Sequence, residues 1–155
     1  MRRTDRSICI LMADDDEDDR LLTRDALSGT GRLRIDLRFA VDGEDLLDYL
    51  CQRGRYAAPG TAPRPGLILL DLNMPKKDGR EALAEIKADA SLRRTPVVVL
   101  TTSRAEEDIV RSYDLGVSSF ITKPVTFDGL VAVMHTLGEY WLDVVELPLD
   151  GRRAR

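Results

Sequence analysis

The chain has 155 residues, 43% of them apolar and 32% charged, which is enough for one buried core and small for two. Its 27 acidic and 23 basic side chains give a formal charge of −4, yet six of the acids are consecutive, Asp14, Asp15, Asp16, Glu17, Asp18 and Asp19, and the remaining 21 would leave the chain at +2. That balance excludes a disordered acidic chain, and no apolar run approaches the ~20 residues of a membrane span.

In chain order, residues 1–6 read as a tail, and the short apolar run 7–13 predicts a strand that ends against Asp14 and Asp15. Acids 16–19 then suit the first turn of a helix, where they favour its dipole and form a solvated face. Residues 35–40 predict a second strand, and Asp42 caps a helix carrying Leu46, Leu47 and Leu50. The stretch 53–66, rich in Pro, Gly and Arg, reads as a surface loop.

Strands three and four, at 67–72 and 96–101, do not alternate with polar residues, so both their faces should be covered, as in a parallel sheet. Ser103 with Glu106 forms a capping-box pattern, and Gly116 stands where a helix would end. A fifth strand at 118–122 leads into Lys123 and Pro124. Leu130, Val133, Met134, Leu137, Tyr140, Trp141 and Val144 then recur at three- and four-residue steps, predicting an amphipathic helix from Thr126 to about Asp143. Five such units in series imply a doubly wound α/β domain with a five-stranded parallel sheet and helices on both faces. Its span is 7–143, with 144–155 as a C-terminal tail.

Cys9 and Cys51 are far apart and read as buried reduced thiols, and the single histidine, His135, reads as a bystander. A zinc site or a serine–histidine triad is therefore not expected. The arginines near both ends read as solvated tails, so no nucleic acid and no membrane is expected as a partner, and the location should be cytoplasmic.

In a doubly wound sheet, chemistry gathers at the carboxyl ends of the strands. There the sequence brings Asp14 and Asp15 after strand one, Asp71 and Asn73 at strand three, Thr101 at strand four and Lys123 after strand five. Two unpaired carboxylates 4 Å apart repel by roughly 4 kcal/mol at an effective dielectric near 20, so three of them call for a divalent cation. Carboxylates, a carbonyl and waters suit Mg²⁺. Such an ion would withdraw charge from an incoming phosphoryl group, with Lys123 and Thr101 holding its other oxygens and Asp71 placed as the nucleophile.

The segments Ile10-Leu-Met-Ala-Asp14-Asp15, Leu67-Ile-Leu-Leu-Asp71-Leu-Asn-Met-Pro75 with Asp78-Gly79, Val97-Val-Val-Leu-Thr101-Thr102 and Thr122-Lys123-Pro124 together resemble the receiver domain of two-component response regulators. The resemblance spans about residues 7 to 140 and implies the flavodoxin-like strand order 2-1-3-4-5. It implies Asp71 as phosphoacceptor, Asp15 as a direct Mg²⁺ ligand, Asp14 as a ligand through water and Asn73 as a ligand through its main-chain oxygen. Lys123 matches the phosphate-pairing lysine, Thr101 the hydroxyl that moves toward the phosphoryl group, Thr102 its small neighbour and Phe120 the switch aromatic. The family often has Tyr at the position of Phe120.

The loop before Pro65, the run from Asp71 to Glu81 and the ending Tyr140-Trp141-Leu with Leu147-Pro148 look like the single-domain response regulators paired with phytochrome histidine kinases. That implies a sensor kinase partner and a switch that acts through protein contacts, since little chain remains after the last helix for an output domain. A helix from Thr126 to Asp143 would outrun the sheet and leave Tyr140, Trp141, Val144, Val145 and Leu147 partly uncovered, so a homodimer through this end is expected.

Two other classes compete. A Mg²⁺-dependent phosphatase of haloacid-dehalogenase type would need a second Asp where Asn73 stands, and a flavin carrier would need hydroxyls and amides where strand one runs into six acids.

Overall fold

The computed structural model of the chain describes residues 7–28, 34–102, 105–124 and 126–140. Five parallel strands, β1 (Ser7–Ala13), β2 (Arg34–Ala40), β3 (Leu67–Leu70), β4 (Val97–Thr101) and β5 (Ser119–Thr122), form one sheet in the order β2-β1-β3-β4-β5. The helices between and after them are α1 (Glu17–Ser28), α2 (Gly43–Cys51), α3 (Gly79–Ala88), α4 (Glu106–Asp114) and α5 (Phe127–Gly138). This is the doubly wound α/β architecture and strand order expected from the sequence.

The unbroken apolar strands are explained by their two covered faces. Leu11, Ala13, Ile68, Leu70, Val97 and Val99 point into a core with Leu46 and Leu47 of α2 and Leu83 and Ile86 of α3. The residues between them, Ile10, Met12, Leu67, Leu69, Val98 and Leu100, point into a second core with Leu22 and Leu27 of α1 and Leu130, Met134 and Leu137 of α5. Adjacent strand positions therefore serve different layers, as a period of two requires.

Most element ends follow the expected chemistry. Asp42 caps α2 by accepting the Asp45 N–H, and Thr126 caps α5 by accepting the Gly129 N–H. Gly116, at φ +98°, is the left-handed residue just after α4. Three expectations are corrected. Helix α4 begins at Glu106 after Ala105, which offers no side-chain cap, so Glu106 is not the third helical residue of a capping box; Ser103 lies outside the described residues. The regular α turns of α5 end at Gly138, Glu139 and Tyr140 continue them in a π turn, and the expected end near Asp143 lies outside the described residues. Cys51 is exposed rather than buried, while Cys9 is half-buried with its Sγ 3.6 Å from the Tyr49 hydroxyl.

The loop 53–66 also does more than bridge the surface. Tyr56 is buried and packs edge-on against Tyr49, and the Tyr49 hydroxyl donates to the Pro63 carbonyl at 2.7 Å. No described helix is long and apolar enough to cross a membrane.

Candidate functional site

The carboxyl ends of β1, β3, β4 and β5 meet at one edge, and the backbone fixes them there. The Asp14 N–H donates to the Ala40 carbonyl, the Asp71 N–H to that of Ala13 and the Lys123 N–H to that of Thr101. Each polar side chain is thus carried on an extension of a hydrogen-bonded strand, so its position is set by the sheet and not by a loop.

Asp14, Asp71, Thr101 and Lys123 are buried, while Asp15 is exposed. One carboxylate oxygen from each of Asp14, Asp15 and Asp71 lies within 4.8 Å of the other two. The Lys123 ammonium bonds Asp14 Oδ2 at 2.7 Å, Asp19 Oδ2 at 2.8 Å and Asp71 Oδ2 at 3.2 Å. Asp19, read from the sequence as part of a solvated face, belongs to the site. Its sequence carries no local signal, because the bond that brings it in reaches Lys123 on the far side of the chain.

The electrostatics follow from burial. Loss of water pushes the Asp14 carboxyl up to about 6, against the lowering effect of its Lys123 bond. Burial alone would also discharge Lys123, but the bonds to Asp14 and Asp19 and the field of Asp71 outweigh it and lift the ammonium above its ordinary value. Three carboxylates therefore share one ammonium with a fourth, Asp15, beside them, an excess of negative charge that a hard divalent cation would offset. The all-oxygen donors fit such an ion, and the exposure of Asp15 leaves it room for waters.

Around Asp71 the loop is shaped by small residues. A Cβ on Gly79 would lie 2.3 Å from the Asp71 carbonyl oxygen and 2.6 Å from Leu72 Cα, so the start of α3 can press on the backbone of residues 71 and 72 only because residue 79 has no side chain. Asn73 donates its backbone N–H to Asp71 Oδ1 at 3.0 Å and its side-chain amide to Thr101 Oγ1 at 3.2 Å and Thr102 Oγ1 at 3.3 Å. The position that a dehalogenase-type phosphatase reserves for a second carboxylate thus holds an amide engaged with two hydroxyls.

Phe120 is half-buried on β5 against the core that includes Val99, and its backbone N–H donates to the Tyr113 hydroxyl of α4 at 3.1 Å. Sequence reasoning missed Tyr113, and also Arg80, which links Asp78, Asp108 and the neighbourhood of Asn73. Tyr140 is 53% exposed beside a groove of about 350 Å³ between β5 and α5, lined by Ile121, Val133 and Leu137. Trp141, Val144, Val145 and Leu147 lie outside the described residues.

Comparison with known proteins gives a consistent result. The pattern of the response regulator receiver domain matches residues 10–135. Response regulator Rcp1 of Synechocystis sp. is 43% identical over 139 residues, which cover 90% of this chain and 92% of that protein. The crystal structure of the Mn(2+)-bound form of Rcp1 superposes with a TM-score of 0.86 at 42% identity, covering 91% of this chain and 99% of that one. The phosphorylated cyanobacterial phytochrome response regulator RcpA gives 0.85 at 44% identity, covering 92% and 99%. The bacteriophytochrome response regulator RtBRR gives 0.69 at 39% identity, covering 95% and 87%.

Proposed function

The chain belongs to the response regulator receiver domain family, and from that premise we propose that it is a single-domain response regulator that accepts a phosphoryl group on Asp71 from the phosphohistidine of a sensor kinase. The observation that carries this reading is the buried Lys123 ammonium bridging Asp14 and Asp71 beside the exposed Asp15. In the transfer, an Asp71 carboxylate oxygen forms a bond to phosphorus as the phosphorus–nitrogen bond breaks. The electron pair stays on the leaving imidazole, which takes up a proton.

Lys123 then exchanges its bond to Asp71 Oδ2 for one to a phosphoryl oxygen, keeping the added charge paired. The Thr101 hydroxyl leaves Asn73 and donates to another phosphoryl oxygen. With Thr102 and Phe120 beside it, this movement shifts the α4–β5 surface toward an active population. Mg²⁺, held by Asp14, Asp15, Asp71 and the main-chain oxygen of Asn73, would withdraw charge from the phosphoryl group. The resulting acyl phosphate makes the protein a signalling switch rather than an enzyme, with slow loss of the phosphoryl group to water as its only turnover.

The partner is a phytochrome histidine kinase in the cytoplasm. Support comes from the match to RcpA and RtBRR over nearly their whole lengths, both named for phytochrome signalling. Output runs through protein contacts, including a homodimer in which a second copy packs on the groove beside Tyr140 with Trp141, Val144, Val145 and Leu147. Transfer of labelled phosphate from a purified bacterial phytochrome kinase to the wild type but not to Asp71→Asn is the expected result. Equal labelling of both would reject Asp71 as the acceptor, and labelling of neither by any phytochrome kinase would reject the pairing. Sedimentation of a chain ending at Gly138 should give a monomer, and an unchanged dimer would reject this interface.

A further inference from the structure

Helix α4 is held to the domain more by polar bonds than by its core. Among its described side chains only Ser112 is buried, Val110 and Tyr113 are half exposed, and Ala105 gives no side-chain cap. A helix so weakly buried is easily released, and whatever fastens it governs where it sits.

The fastening at its first turn comes from Arg80 at the start of α3. Arg80 Nε donates to Asp108 Oδ1 at 2.8 Å and Nη2 to Asp108 Oδ2 at 2.6 Å, a two-pronged pairing that fixes orientation as well as distance. The third nitrogen, Nη1, is held at 3.0 Å by Asp78 Oδ2, the residue that caps α3. The guanidinium also faces the acceptor loop, with Asn73 Oδ1 at 3.5 Å from both Nη1 and Nη2. Asn73 in turn holds Asp71 through its N–H and Thr101 through its amide. A continuous polar path therefore runs from the Asp71 carboxylate, through Asn73 and Arg80, to Asp108 on α4.

We propose that Arg80 is a positioning residue that couples the Asp71 site to α4, clamping the helix through Asp108 while bearing on the acceptor loop at Asn73. The clamp favours the arrangement in which the Thr101 hydroxyl is engaged with Asn73. Phosphorylation requires that hydroxyl to turn away, so acceptance of the phosphoryl group and release of α4 oppose the same set of bonds. Coupling of this kind is reciprocal: loosening α4 must ease phosphorylation. The direction of this signal rests on the reading of Asp71 as acceptor, whereas the clamp does not.

Hydrogen exchange of the full chain, followed by mass spectrometry, tests the clamp without phosphorylation. In Arg80→Gln and in Asp108→Asn, amides of α4 should exchange about tenfold faster than in the wild type, with the central strands unchanged. The double variant should be no faster than either single, and the charge swap Arg80→Asp with Asp108→Arg should restore much of the protection. Unchanged exchange in the singles, or additive effects in the double, overturns the clamp.

Acetyl phosphate with Mg²⁺ then tests the coupling. Because only the arrangement with the Thr101 hydroxyl turned away is competent and its population rises when the clamp is lost, Asp108→Asn should accept the phosphoryl group about fivefold faster than the wild type, and the charge swap should return toward the wild-type rate. Equal rates in all three overturn the coupling. A wild type that takes up no phosphoryl group from acetyl phosphate or from any kinase overturns the functional reading instead, and the exchange experiment still decides the clamp.

Discussion

Lys123 Nζ lies closer to Asp14 Oδ2, at 2.7 Å, than to Asp71 Oδ2, at 3.2 Å. The ammonium is therefore first the counter-ion of a fully buried acid and second the partner of Asp71. Removing one member of a buried pair leaves the other charged and uncompensated, which costs about 3 kcal/mol or more. Lys123→Met should accordingly lose about 3 kcal/mol of stability in metal-free buffer, and Mg²⁺ should return a substantial part of it. Urea unfolding with and without Mg²⁺ measures both, and a loss that the ion leaves unaltered would contradict a cation site at these carboxylates.

Gly79→Ala should destabilise the domain by about 3 kcal/mol, because its methyl group would overlap the backbone of Asp71 and Leu72, which has no rotamer by which to yield. The same push moves the loop that carries Asp71, the proposed acceptor, so phosphorylation from acetyl phosphate should fall along with the unfolding midpoint. A variant of wild-type stability would show that the loop is looser than the close approach implies.

Tyr56 gives the chain an alkaline limit. Burial, followed by the bond of its hydroxyl to Asp45 Oδ1 at 2.9 Å, pushes the phenol up to about 12 from 10. Between those values the unfolded chain has released the proton and the folded chain has kept it. The folded state then binds more protons, so stability falls as pH rises through this window and is unaffected below it. Unfolding midpoints from about pH 9 to 11 should drop more steeply for the wild type than for Tyr56→Phe. Parallel curves would place the alkaline sensitivity elsewhere.

Tyr113→Phe should leave the Phe120 N–H without its acceptor at the edge of the sheet. Exchange of that amide should rise about tenfold, with a loss of stability near 1 kcal/mol. The hydroxyl that the family often carries at position 120 is absent here, and a phenol from α4 reaches the same strand. Unchanged exchange at Phe120 would mean that water serves the amide equally well.

The legible and illegible parts of this molecule differ in the range of the interactions that determine them. Strand β1 is legible because its short apolar run stops against Asp14 and Asp15, and β3 and β4 declare their two covered faces by lacking alternation. The site residues Asp14, Asp71, Thr101 and Lys123 could be gathered because parallel topology sends every strand end to one edge. Asp19 escaped notice inside a run of like charges, where composition hides which member turns inward. Arg80 and Asp108, 28 residues apart, carry no local pattern at all and become partners only when the sheet brings the starts of α3 and α4 within reach of one side chain. Cys51 was misjudged because burial was inferred from residue type, whereas it sits on the outer side of α2's last turn.

The 109 residues that separate Asp14 from Lys123 also have a consequence for synthesis on the ribosome. At about 5–20 residues per second, the acidic edge emerges roughly 5–20 s before the ammonium that neutralises it. During that interval the nascent chain carries a repelling edge that resists closure, and the arrival of β5 both completes the sheet and discharges it. Among the described strands the last to be made is thus the one that brings the counter-charge to the edge.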